Sequence, residues 1–109
     1  MVNKRRKLTP QVRCELIITA ALQLASKPGG WNTLTLVGIA KQAHCTHGLV
    51  LHHFGSIASL RRALVKAAIK QENFDVLTQA LVANDPEANR MKPLLRQKAF
   101  AHTLNKSGA

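Results

Sequence analysis

Thr35 and Thr46 each stand at the head of a short apolar-patterned run, and Ala43-His44-Cys45 separates the two runs. A hydroxyl in that position accepts the orphan N–H groups of a helix's first turn. The pattern therefore predicts one short helix from Leu36 to near Gln42, with Leu36, Ile39, Ala40 and Ala43 on one face, and another from Thr46 to about His53. Two short helices joined by three residues turn a tight corner. Small or apolar residues must then lie where the helices cross, and Ile39, Ala40, Ala43 and Val50 supply them. Cys45 fills the turn as a small hydrophobe.

The surrounding chain reads as helical too. Thr9-Pro10 starts a helix running to about Ser26, with a hydroxyl cap and proline at the first helical position. Its predicted buried stripe is Val12, Leu16, Ile17, Ala20, Ala21 and Leu24, and Lys27-Pro28-Gly29-Gly30 stops it. Trp31 is expected to pack down on this helix. Gly55-Ser56 breaks the chain again, and a longer helix follows from Ile57 to about Glu72, turning Leu60, Leu64, Val65, Ala68 and Ile69 inward. The remainder divides at Asn84-Asp85-Pro86. Phe74, Val76, Leu77, Leu81 and Val82 indicate one short helix, and Leu94, Leu95, Ala99, Phe100 and Leu104 another from near Pro93, ending in a frayed Lys106-Ser107-Gly108-Ala109. The expected fold is all-α: a three-helix domain with a helix-turn-helix, a longer fourth helix, and one or two short C-terminal helices. Three segments follow: a basic arm (1–8), a helical domain (9–72) and a short helical segment (73–109).

Composition narrows the function. At 109 residues, 46% apolar and only 4% aromatic, the chain suits one small domain with an aliphatic core. Sixteen Lys and Arg against five Asp and Glu give a formal charge of +11, an imbalance that fits a polyanionic partner, nucleic acid above all. Cys14 and Cys45 are too few for a disulfide framework, no secretory signal is read, and no long apolar run would span a bilayer. A reduced, cytoplasmic protein is expected. Nothing suggests an enzyme: carboxylates are scattered, no nucleophile has a recognisable base, and no glycine-rich loop follows a strand. His44, Cys45, His47, His52 and His53 cluster but match no established zinc spacing. No metal, cofactor or catalytic residue is expected.

The segment Gly30-Trp31-Asn32-Thr33-Leu34-Thr35-Leu36-Val37-Gly38-Ile39-Ala40 resembles the entry to the helix-turn-helix of TetR-type repressors, where glycine and an aromatic precede a Thr-x-x-x-Ile-Ala core. Downstream, Thr46-His47-Gly48-Leu49-Val50-Leu51-His52-His53-Phe54-Gly55-Ser56 is similar to that family's Ser-x-Gly-Thr-Leu-Tyr-x-His-Phe-x-Ser stretch. Upstream, Ile17-Ile18-Thr19-Ala20-Ala21-Leu22-Gln23-Leu24 is similar to its first-helix pattern. The resemblance implies DNA binding, with the second helix of the unit in the major groove. Three positions depart from the pattern: Leu51 stands for a tyrosine and Ile57 for a lysine, both phosphate contacts in the family, and Leu49 stands for a threonine.

The expected DNA-binding residues follow from this placement. Thr46 offers its hydroxyl and backbone N–H to a phosphate at a helix N-terminus, and Thr35 heads the preceding helix. His47 sits where a base-contacting side chain would, Gly48 permits close backbone approach, and His52 is placed for the DNA backbone. His53 matches a family histidine, with packing as its role. Leu49 and Leu51 either meet thymine methyl groups or pack inward. Lys41, Arg61, Arg62 and Lys66 are expected to offset the lost phosphate contacts, as are Lys4, Arg5, Arg6 and Lys7 of the arm. The expected partner is a palindromic double-stranded operator bound by a homodimer through residues 74–104, as a small repressor lacking a ligand-sensing domain and hence without a small-molecule inducer. The alternative is a basic protein-binding module that keeps the fold.

Overall fold

A computed structural model describes residues 9–108, and the side chains of residues 9–104. The arm residues Lys4, Arg5, Arg6 and Lys7 lie outside the described residues. All regular structure among the described residues is helical: α1 (Pro10–Ala25), α2 (Leu36–Ala43), α3 (His47–Phe54), α4 (Ile57–Gln71), α5 (Phe74–Val82) and α6 (Pro93–Gly108), with one 3-10 turn at Ala88–Arg90.

Short side chains set most of the helix starts. Thr9 Oγ1 accepts the Val12 N–H at 3.1 Å, Thr35 Oγ1 the Gly38 N–H at 3.0 Å, Thr46 Oγ1 the Leu49 N–H at 3.2 Å, and Ser56 Oγ the Ser59 N–H at 3.1 Å. Asn73 does the same for α5 through Val76, at 3.3 Å. The helix ends are less conventional. His44, Glu72 and Asn84 each follow a helix with φ of 60°, 53° and 60°, in the left-handed region that costs a side-chain-bearing residue energy. At each, two hydrogen bonds close the end. At the first, Cys45 N–H donates to the Ala40 carbonyl at 2.9 Å and His44 N–H to Lys41 at 3.2 Å, the pairing of a Schellman motif.

One apolar cluster runs through the whole fold. It joins Ile17, Ala21, Leu22 and Ala25 of α1 to Ile39 and Ala40 of α2 and Val50 of α3. It then continues through Leu60, Leu64, Val65 and Ala68 of α4 to Val76, Leu77 and Ala80 of α5 and Ala99 of α6. Trp31 is 2% exposed within it, and loss of so large a buried ring typically costs about 3–5 kcal/mol.

Several expectations need correction. Val12 and Leu16 are 38% and 48% exposed, and Leu22 and Ala25 are buried in their place. Helix α1 packs against α2, α4 and α5, and the buried face those neighbours create leaves the first turns of α1 outside. Ile69 is half-buried, and Val82 is exposed at the end of α5. Helix α6 spans 16 residues and continues through Gly108, so Lys106–Gly108 form helix where fraying was expected. Ala109 lies outside the described residues.

The α1–α2 connection is held from a distance. Gly30 leaves no room for a side chain, because a Cβ there would stand 2.1 Å from the Leu24 carbonyl oxygen. The Trp31 N–H donates to Gln79 Oε1 of α5 at 2.9 Å, while Gln79 Nε2 donates to the carbonyls of Ala25 at 2.7 Å and Lys27 at 2.9 Å. On the other side, Arg61 Nη2 donates to the Trp31 carbonyl at 3.2 Å.

Candidate nucleic-acid interface

The corner between α2 and α3 determines what the molecule presents. The His44 turn reverses the chain, and the Thr46 cap starts α3 immediately afterwards. Val50 is the one residue of α3 that is fully buried. Thr46, His47, Gly48, Leu51 and His52 are all exposed. On a helical period His47, Gly48, Leu51 and His52 fall within one arc of about 140° that leaves Val50 outside it, so the structure brings these four onto one outward face. Leu51, which sequence reasoning left between packing and contact, is 36% exposed and lies on that face. Leu49 is half-buried. Thr35 and Lys41 are exposed on α2.

Gly48 is informative because the fold itself does not need it. A Cβ built there would meet only the Thr46 hydroxyl, at 3.9 Å. Glycine inside a helix costs roughly 0.5–1 kcal/mol relative to alanine, so this position gives up stability and leaves bare backbone on its outer side. The Thr46 hydroxyl accepts from Leu49 and keeps its own proton to donate.

Arg61 has a role within the fold. It is half-buried, bonded to the Trp31 carbonyl, with its guanidinium carbon 5.5 Å from the centre of the Trp31 ring. A cation over an indole face is held by the ring quadrupole. Arg61 therefore fastens the α1–α2 connection. Arg62 and Lys66 remain exposed on α4. His53 is half-buried with its ring 5.2 Å from that of His52, edge to face, and its buried Nε2 has no hydrogen-bond partner. That placement suits packing. Cys45 is half-buried against the core. Among the described residues no three His, Cys, Asp or Glu side chains are grouped to hold a metal.

One electrostatic signal was present in the sequence and had gone unread. The five acids are Glu15, Glu72, Asp75, Asp85 and Glu87, so residues 16–71 contain none. The connection before the corner, α2 and α4 thus carry cations, and neither they nor α3 holds a carboxylate of its own. A segment of this kind favours a polyanionic partner.

A short capped corner with an exposed second helix, set in a basic stretch of sequence free of acids, defines a helix-turn-helix DNA-binding domain. Residues 17–64 match the family model described as bacterial regulatory proteins, tetR family, from the middle of α1 to the middle of α4. This segment is a TetR-type regulator DNA-binding domain, the module of a DNA-binding transcription regulator. No curated protein and no solved structure matches the chain. No helix among the described residues is long and apolar enough to cross a membrane.

Proposed function

We propose that the protein is a sequence-specific repressor that binds a palindromic double-stranded operator as a homodimer, placing α3 in the major groove. The observation that carries this reading is the outward face of α3, where His47 and His52 flank the bare backbone of Gly48. His47 and Leu51 read base edges, the latter through thymine methyl groups. Thr46 and Thr35 hold phosphates at helix N-termini, and Lys41 and His52 add backbone contacts. The basic arm, Lys4 to Lys7, extends the contact into the adjacent minor groove.

Dimerisation is supported by α6. Leu94, Phe100 and Leu104 are exposed there at 64%, 45% and 71%, and a helical projection puts them on the side opposite buried Ala99. A two-fold pairing of this face doubles the phosphate and base contacts available to one short reading helix. Repression follows from occupancy of a promoter by such a dimer, in the cytoplasm.

Selection of bound sequences from a random duplex pool tests the reading. The expected product is a palindrome whose half-sites lie about 34–36 Å apart, or a multiple of that, along the duplex. A pool that shows no enrichment, with no duplex binding at low salt, overturns it in favour of a protein-binding module.

A further inference from the structure

The side of α4 turned away from the core carries Arg62, Lys66 and Lys70, all exposed. Their i, i+4, i+8 spacing makes them surface neighbours, and like charges so placed repel. Helix α4 contains no acid to relieve them. Arg62 and Lys66 line a cleft of about 450 Å³ in which Arg90 adds a further cation. The carboxylate in that cleft, Glu87, is 3.8 Å from Arg90. Glu15 of α1 borders the groove on the other flank, with Lys66 and Lys70, and among the described residues makes no ion pair with either.

We propose that this row is a second, sequence-independent duplex-binding surface, separate from the outward face of α3, that holds another segment of DNA by its phosphates. The row is straight and about 12 Å long at 1.5 Å per residue. A duplex offers one negative charge per roughly 1.7 Å of its axis, so any register of the backbone satisfies the row. Lys70 stands about 20 Å along α4 from Ile57, close to twice the Debye length of about 10 Å at 0.1 M salt. A duplex seated at the α3 end of α4 is therefore screened from it.

A second copy of this chain is a poorer occupant, because three of its five acids are already engaged. Asp85 accepts the N–H groups of Glu87 and Ala88 at 2.9 and 3.1 Å. Asp75 lies 3.3 Å from His102, and Glu87 lies beside Arg90.

This proposal rests on the duplex-binding reading above, and its test separates the two. The probes are a random-sequence duplex and the operator duplex recovered by selection, each with its own label, bound to the full chain and to the R62Q/K66Q/K70Q variant. For the random duplex, the log–log dependence of affinity on salt becomes shallower by about 2.7 in the variant, at about 0.9 per phosphate lost. With operator saturating, the wild-type protein co-sediments the random duplex at low salt and the variant does not. The variant's unfolding midpoint stays equal or rises, since repulsion has been removed, which shows that lost binding is not lost folding. Equal salt slopes, equal recruitment of the second duplex, or capture of polyglutamate in place of duplex each overturn the second surface. Failure of the wild-type protein to bind any duplex overturns the functional reading itself.

Discussion

Gln79 accepts the main-chain N–H of Trp31 at 2.9 Å across 48 positions of sequence. The same carboxamide donates to Ala25, Lys27 and Asp75 carbonyls, so one side chain of α5 ties down the exit of α1 and the approach to α2. An unmade hydrogen bond at a buried group costs about 1–3 kcal/mol. Gln79→Ala is expected to lower stability by about 2 kcal/mol or more in urea titration. Gln79→Glu is expected to be at least as damaging, because a carboxylate cannot donate to the carbonyls of Ala25 and Lys27. A loss below about 0.5 kcal/mol for both would show that the contacts are incidental.

Gly48→Ala separates folding from binding. With no protein atom closer than 3.9 Å to the added methyl group, the fold gains roughly 0.5–1 kcal/mol of helix propensity. Binding to the selected operator is expected to weaken, because the methyl group stands on the face proposed to approach DNA. Parallel thermal melts and binding isotherms check it, and unchanged operator affinity would remove Gly48 from the interface.

His44→Gly removes a side chain from the left-handed turn at φ 60° between α2 and α3. Relief of that strain is expected to stabilise the protein by about 1 kcal/mol in denaturant titration, less the extra freedom glycine brings to the unfolded chain. A lower midpoint would mean that the imidazole supplies more than it costs.

Arg61→Ala and Lys41→Ala should behave in opposite ways. The first removes the bond to Trp31 and the cation over its ring, so stability falls and the salt slope of duplex binding holds. The second alters an exposed cation, so stability holds within about 0.5 kcal/mol and the slope becomes shallower by about 0.9. A changed slope for Arg61→Ala would return that residue to the interface.

Phe100→Asp combined with Leu104→Glu places charge on the exposed side of α6. Sedimentation is expected to shift from dimer to monomer, with weaker operator binding and little change in helix content. A wild-type protein that sediments as a monomer would remove α6 from the account.

The helix starts were legible in the sequence because capping is local: Thr9, Thr35, Thr46 and Ser56 each bond within the next three residues. The helix ends were less so. His44, Glu72 and Asn84 adopt the left-handed conformation for which glycine is the usual signal, and local backbone hydrogen bonds close each end. Periodicity along α1 gave the right helix, yet it could not tell which turns its neighbours cover, and Val12 and Leu16 were misplaced for that reason. At the interface, the outward face of α3 followed from spacing. The inward turn of Arg61 did not, since it depends on Trp31 lying beside it across the fold. The acid-free stretch from 16 to 71 was legible from the start.

The Gln79 clamp bears on where this molecule can come apart. The family-matched segment ends at residue 64, yet the loop leading into its helix-turn-helix is fastened by a side chain beyond it, and Val76, Leu77, Ala80 and Ala99 share its core. The reading unit and the C-terminal helices are therefore one cooperative unit of melting. Unfolding should follow a single transition by every probe, and amides in α2 and α5 should exchange with solvent at the same free energy. Whatever loosens the C-terminal helices loosens the reading helix with them.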